Sequence, residues 1–402
     1  MDFLQTGILD TICKISDIDL RGKRVFIRAD FNVPHDNYHR VTNDARIRAV
    51  IPTIQQALSS GAAVMLSSHL GQPEPGVNED KYSLNSVALV LERLLGRSVV
   101  LVKNWLDGVD VSTGQVIMLE NCRLNIGETS DDLVLAEKMS SLFDVYVNDA
   151  FSVSHRQEAT VSALARCAHE ACAGLLMLRE LSALSYLLRS PQRPVVAVIG
   201  GSKLSTKLRA IQSLSHWVDA LIVGGGMANT FILASGYYVG SSLVSEDMLD
   251  LAHAVFKNMS ERGCSFPIPT DVVVTGSISG GELGRIKSVS DVVTGEMIVD
   301  IGPDTQSIFK KFIDNAGTVI WNGPMGVFEY DAFSIGTCAI ARAIADSRAL
   351  SVAGGGDTRA AISKAGVDDL IDYISTGGGS FLSLLEGKGL PGITALIDRQ
   401  RR

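Results

Sequence analysis

The sequence predicts an α/β protein whose short buried strands alternate with amphipathic helices, in two domains joined at a leucine-rich helix. Three observations carry this. Apolar runs of three to five residues recur along the chain, from Val25-Phe26-Ile27 to Ala349–Ala353, each ending in a glycine-rich or polar loop before a helical stripe. At 402 residues the chain is long enough for roughly two or three full cores. Between Gly174 and Ser190, Leu175, Leu178, Leu181, Leu184, Leu187 and Leu188 form one helical face, and Pro191 and Pro194 then precede a new strand.

Composition narrows the class of function. Charged residues are 20% and hydrophobic ones 46%, which suits a folded globular chain. A net charge of −8 disfavours nucleic-acid and anionic-membrane partners and makes local arginine clusters more telling. Cys13, Cys122, Cys167, Cys172, Cys264 and Cys338 are scattered without metal-ligand spacing, as expected of reduced thiols in a cytosolic protein. The first residues, Met1-Asp2-Phe3-Leu4-Gln5, lack the marks of a signal peptide, and no apolar run is long enough to span a bilayer. The expected compartment is the cytoplasm.

In the first half, strand Val25–Ile27 runs into Arg28-Ala29-Asp30-Phe31-Asn32-Val33-Pro34, where Asp30 and Asn32 point the same way from an extended backbone. Thr42-Asn43-Asp44 caps a helix with apolar residues at Ile47, Val50, Ile51, Ile54 and Leu58; Pro52 should bend it or mark a late start. Arg46 stands at its entry. Strand Ala63–Ser68 delivers His69, helix Leu84–Leu95 stops at Gly96, and strand Val99–Val102 follows. Strand Val116–Leu119 leads to Arg123, and strand Val145–Val147 leads to His155 and Arg156. Ligands of parallel α/β sheets bind beyond the carboxyl ends of the strands. Three arginines and two histidines placed there predict a basic pocket for a small, multiply anionic ligand.

In the second half, strand Val195–Ile199 ends in Gly200-Gly201-Ser202-Lys203-Leu204-Ser205-Thr206-Lys207. This lacks the P-loop form G-x-x-x-x-G-K-[ST] but pairs bare backbone with two lysines one helical turn apart. Strand Ala220–Val223 ends in Gly224-Gly225-Gly226. Helix Ser245–Arg262 is read as architectural, and strand Val272–Thr275 follows. Strand Thr318–Trp321 ends in Asn322-Gly323-Pro324-Met325-Gly326-Val327-Phe328-Glu329, which suits an apolar slot for a base with a carboxylate for ribose hydroxyls. Ala349–Ala353 ends in Gly354-Gly355-Gly356-Asp357-Thr358. Glycine triplets opening helices suit phosphate, and Asp357 suits a divalent cation bound with it. Gly387-Lys388-Gly389-Leu390-Pro391-Gly392 formally fits G-x-G-x-x-G, but only ten residues follow, too few for a βαβ unit.

Taken in order, Arg28–Pro34, Ser68-His69-Leu70-Gly71, Gly200–Lys203, Gly224–Ala228, Trp321–Glu329, Gly354–Thr358 and Ser375-Thr376-Gly377-Gly378-Gly379 resemble the phosphoglycerate kinase family across essentially the whole chain. The resemblance implies two doubly wound, Rossmann-like domains facing a cleft. Residues 1–173 would bind phosphoglycerate, 174–190 would be the interdomain helix and 191–384 would bind Mg-nucleotide, with the tail 385–402 folded back on the first domain. It implies reversible, direct in-line phosphoryl transfer from 1,3-bisphosphoglycerate to ADP with Mg²⁺, in a cytoplasmic monomer. Domain closure would use the 174–190 helix and the Ser375–Gly379 loop as hinge parts.

By that resemblance Asp30, Asn32, Arg46, His69, Arg123 and Arg156 bind the phosphoglycerate. Gly201, Ser202, Gly225, Gly226, Asn322, Pro324 and Glu329 line the nucleotide site, with Gly354. Arg46, Lys203, Lys207, Gly355 and Gly356 surround the transferring phosphoryl, with Asp357 on the metal and Thr358 beside it. The family usually has arginine where this chain has Gln72. Two other readings are a different nucleotide-dependent phosphotransferase and a non-catalytic nucleotide-binding scaffold. The second would be expected to lack a charge-stabilising group, and Arg46, Lys203, Lys207 and Asp357 are all present.

Overall fold

A computed structural model describes residues 8–77, 79–202, 204–279 and 283–400. The chain separates into two compact units. One takes the residues up to Ser185 together with those from Gly389 onward, and the other takes Tyr186–Lys388. The division falls inside the helix Leu175–Arg189.

The first unit is built on six parallel strands: β1 (Arg24–Arg28), β2 (Ala63–Ser67), β3 (Val99–Val102), β4 (Val116–Leu119), β5 (Val145–Asn148) and β6 (Glu170–Ala173). Their spatial order is β3-β4-β2-β1-β5-β6. The chain works outward from β1 to one side and then returns to add β5 on the other. The loops after β1 and β5 therefore flank a topological switch point, where open α/β sheets place their ligands. Val25, Ile27, Val64, Leu66, Val145 and Val147 are buried in one core with Ile47, Val50 and Ile54 of the helix Ala45–Ser59. Pro52 lies inside that helix, so it marks no late start. Gly96 takes the left-handed conformation, φ 64°, that ends the helix Asn85–Leu95.

The tail joins this unit through the helix Pro391–Gln400, which buries Ile393, Ala395 and Leu396. The Gly392 amide donates to the Ser154 carbonyl at 3.0 Å. Arg399 donates from Nε to the Ala168 carbonyl at 2.6 Å and from Nη2 to that of His169 at 2.7 Å.

The second unit holds five parallel strands: β7 (Val195–Ile199), β8 (Ala220–Val223), β12 (Thr318–Asn322), β13 (Leu350–Gly354) and β14 (Tyr373–Ser375). Their order is β14-β13-β12-β7-β8, with the switch point between β7 and β12. A separate antiparallel sheet, β10 (Arg285–Ser288), β9 (Asp271–Thr275) and β11 (Met297–Ile301), was not expected beyond its middle strand. Two of the four residues of β10 are charged and three of the four are exposed, so it carries no apolar run to announce it. Ile232, Val239, Val272, Val274, Val289 and Val292 form the small core beneath this sheet.

Candidate active site

In the first unit the expected basic residues converge beyond the carboxyl ends of β1, β2, β4 and β5. Asn43 accepts the Ala45 amide at 3.0 Å as the helix Ala45–Ser59 begins, and this sets Arg46 in the first turn. Arg46 Nη1 donates to Asp30 Oδ2 at 2.9 Å and to the Asn32 carbonyl at 3.0 Å. The Ser152 hydroxyl also donates to Asp30, and the Asn32 amide does so at 3.0 Å. Asn32 Oδ1 in turn accepts the Gly71 amide at 3.0 Å, fixing the loop after His69. Burial opposes the charge on Asp30, but these partners hold its carboxyl below the usual range.

His69 is 2% exposed and packs between Asp30, 3.9 Å away, and Arg28, 3.5 Å away. Burial and the neighbouring Arg28 and Arg123 depress its pKa to about 3. It is therefore neutral, a hydrogen-bonding group rather than a cation, and Arg46 is the permanent charge paired with Asp30.

Arg123 donates from Nη1 to the Gly71 carbonyl at 2.8 Å and from Nη2 to Glu158 Oε1 at 2.6 Å. Arg156, half-buried, reaches the same Oε1 from Nη1 at 3.4 Å. Arg28 is fully buried, and its Nε donates to Thr160 Oγ1 at 2.8 Å.

In the second unit a cavity of about 340 Å³ opens at the carboxyl ends of β7, β8 and β12. Gly201, Ser202, Gly225, Gly226, Pro324, Glu329 and Asp357 line one part of it. Ile232, Leu243, Val272, Met297 and Val299 line the apolar remainder, the last three from the antiparallel sheet.

The glycines do two separate jobs here. At Gly200 an added Cβ would lie 1.9 Å from the Pro324 carbonyl oxygen, and at Gly226 it would lie 2.4 Å from that of Ser202. These positions are bare because loop backbones pack directly on one another. In the triplet after β13 Gly354 packs on the Phe381 ring and Gly355 takes φ 106°, whereas a Cβ at Gly356 would meet open space. Only Gly356 fits the expectation that the triplet exposes backbone to a ligand, at the start of the helix Gly356–Ala365.

Asp357 is exposed in the first turn of that helix. Lys207 donates to the Gly200 carbonyl at 2.7 Å and to that of Asn322 at 3.1 Å. Burial lowers its pKa to about 8, with Asp357 pulling the other way.

A sequence model of the family described as phosphoglycerate kinase matches residues 15–388. This chain belongs to the phosphoglycerate kinase family. Among solved structures, that of the phosphoglycerate kinase from Coxiella burnetii is 46% identical, with a TM-score of 0.88, and covers 97% of this chain and 99% of its own. The phosphoglycerate kinase from Pyrococcus horikoshii OT3 is 32% identical, with a TM-score of 0.83, and covers the same shares. The protein is thus a glycolytic kinase that transfers a phosphoryl group between 1,3-bisphosphoglycerate and ADP.

Not every expected contact residue of this kinase faces the open site. Thr358 is buried, and its hydroxyl donates to the Gly354 carbonyl and accepts the Gly323 amide, each at 2.7 Å. Asn322 is 2% exposed and donates from Nδ2 to the Gly354 carbonyl at 2.5 Å. Both residues tie the loops after β12 and β13 together. Gln72 is exposed beside Gly71. Lys203 lies outside the described residues.

Sequence reasoning missed Arg28, Ser152 and Glu158 in the kinase's first unit. Arg28 read as a strand flank, although it continues the alternation of Arg28, Asp30 and Asn32. Glu158 stands two residues after Arg156, and that spacing is the only signal it offers.

Proposed function

We propose that the first unit holds the phosphoglycerate through Asp30, Asn32, Arg46, His69, Arg123 and Arg156, and that the second holds Mg-ADP around the cavity beside Asp357. The observation that carries this is the contrast at the two sheet ends. Arginines gather at one, while the other has an apolar cavity with a bare helix start and two exposed carboxylates, Glu329 and Asp357.

The residues present suit Mg²⁺ as a nucleotide complex. Asp357 is exposed at the helix start, with Glu329 the other exposed carboxylate of the cavity, and no group of three or more acidic, histidine or cysteine ligands occurs among the described residues. Phosphate and water oxygens would complete the coordination. The ion, when bound, neutralises charge on the nucleotide phosphates.

Arg46 is aimed by Asp30 and the Asn32 carbonyl, so its remaining donors face an anion in a preset direction. Neutral His69 orients without adding charge. Lys207, with Lys203 by resemblance, balances the charge of the moving phosphoryl. Direct in-line transfer needs positioning and charge stabilisation rather than a protein nucleophile. It also needs the two ligands to meet away from water, so domain closure belongs to this reading. We further propose a cytoplasmic monomer; six scattered cysteines without metal-ligand spacing suit a reducing compartment, and the monomer rests on the resemblance.

A coupled assay of ATP formation from 1,3-bisphosphoglycerate and ADP, with and without a chelator, tests the whole reading. Arg123→Ala should raise KM for 1,3-bisphosphoglycerate and Asp357→Asn should raise it for Mg-ADP, each sparing the other substrate. Crossed effects would refute the division of sites.

A further inference from the structure

Glu158 is an unexpected occupant of a pocket meant for anions. Its side chain is only 6% exposed, and it stands among the arginines that the anion pocket supplies. Oε1 accepts from Arg123 Nη2 at 2.6 Å and from Arg156 Nη1 at 3.4 Å, and Oε2 lies 3.9 Å from Arg28 Nη2. Arg28 and Arg123 hold its carboxyl below the usual range, although burial works against the charge. Arg123 is itself 5% exposed, and its two terminal nitrogens are already committed, to Glu158 and to the Gly71 carbonyl. Its Nε and Glu158 Oε2 are buried and make no hydrogen bond.

Two consequences follow from this geometry. Three guanidinium groups gathered without a ligand would repel one another, and one carboxylate at their centre removes most of that repulsion. The same carboxylate also occupies donors that an incoming carboxylate or phosphate would use.

We propose that Glu158 is an internal counter-ion and positioning residue, which holds Arg123 and Arg156 in place of the substrate's anionic group and gives them up to the substrate on binding. This rests on the reading that those arginines meet the phosphoglycerate. Substrate binding is then an exchange: Arg123 and Arg156 leave one carboxylate for another anion, while Asp30 keeps Arg46 throughout. The wild-type affinity is weakened by the contact that must be broken.

The test is Glu158→Gln, which keeps the shape and an acceptor oxygen but removes the charge. Steady-state kinetics in the direction consuming 3-phosphoglycerate and ATP should show its KM falling about threefold or more at low salt, since a neutral acceptor competes less well than a charged one. The difference should shrink as salt rises. A residue that merely braced the fold would not give this split, in which kcat stays close to wild type while KM falls. The midpoint of thermal unfolding without ligand should drop, and 3-phosphoglycerate should raise it by more than it does for wild type. If the variant is unfolded alone, 3-phosphoglycerate should restore its folding, and failure to do so overturns the inference. An unchanged or raised KM also overturns it. Arg123→Ala, measured in parallel, separates the two levels. If it leaves KM untouched, the site reading itself fails. If it raises KM while Glu158→Gln does not lower it, only the counter-ion role is lost.

Discussion

In the first unit an anion would meet side chains: Arg46 braced by Asp30, Arg123 and Arg156 braced by Glu158, and a neutral histidine between them. In the second it would meet mostly backbone, at a helix start left bare by Gly356, beside an apolar cavity with Asp357 at its edge. On the proposed assignment of the two ligands, the difference follows from what each ligand offers. A small triose acid is little more than its charges, so it is recognised by paired, directed cations. A nucleotide brings an apolar base as well as phosphates and a metal, so one cavity can bind the base while bare amides and a carboxylate hold the rest. Side-chain recognition needs buried counter-ions to keep the empty site stable. Backbone recognition needs glycine wherever loops must pack closely.

The largest expected effect tests the role of charge in the second unit. Lys203→Ala should lower kcat by about a hundredfold or more, the scale of losing one donor to a transition state, with much smaller changes in substrate binding. A near-normal kcat would leave Lys203 without the charge-stabilising role.

A pH profile sharpens the comparison further. Lys207 is charged below a pKa of about 8, so the free enzyme's kcat/KM for Mg-ADP should fall as pH rises through that value. Lys207→Arg, which stays charged, should remove that limb. A limb that persists would belong to another group.

Burial of charge in the first unit predicts a stability effect of opposite sense to that of most carboxylates. Burial raises the pKa of Glu128 to about 7 against the pull of Arg28 and Thr160. Between its unfolded pKa, near 4.5, and about 7 the folded state binds more protons than the unfolded one, so its contribution to stability is lost as pH rises. Glu128→Gln should therefore compare more favourably with wild type at about pH 8.5 than at about pH 5.5, read as the difference in unfolding midpoints. An equal difference at both pH values would mean that Glu128 is ionised throughout.

The smallest effect is expected at Gln72, exposed at the rim. Gln72→Arg should lower KM for 3-phosphoglycerate several-fold at low salt and leave kcat nearly unchanged, because a charged bond exceeds a neutral one but is screened at an exposed site. If KM holds or rises, the side chain points away from the pocket or its charge is already compensated.

Much of this was legible in the residues. Val99–Val102, Val116–Leu119, Val195–Ile199 and Ala220–Val223 are strands with the expected bounds, because each is an uninterrupted apolar run between turn signals, even at the partly exposed edge strand β3. β10 was not legible, since it is short, exposed and polar, and β11 went unread although only Asp300 breaks its apolar run. Asp30, Arg46 and Arg123 announced themselves by standing after strands or at a helix start. Glu158 did not, because a carboxylate two residues from an arginine looks like any solvated surface pair until the fold buries it. The glycine loops were visible, but not which glycines serve packing. That depends on which backbone lies opposite, as Ser202 lies opposite Gly226.

That last position tests the contrast most directly. Gly226 has no left-handed φ to preserve, so Gly226→Ala adds only a methyl group, built 2.4 Å from the Ser202 carbonyl oxygen, and pushes the two loops apart. Calorimetric titration of the variant with Mg-ADP and, separately, with 3-phosphoglycerate should show nucleotide affinity reduced by about tenfold or more, given what sub-ångström misplacement costs in a binding site. Affinity for 3-phosphoglycerate should stay close to wild type, since its pocket is built from other residues. Retained nucleotide affinity, or an equal loss for both ligands in a folded protein, would contradict the account.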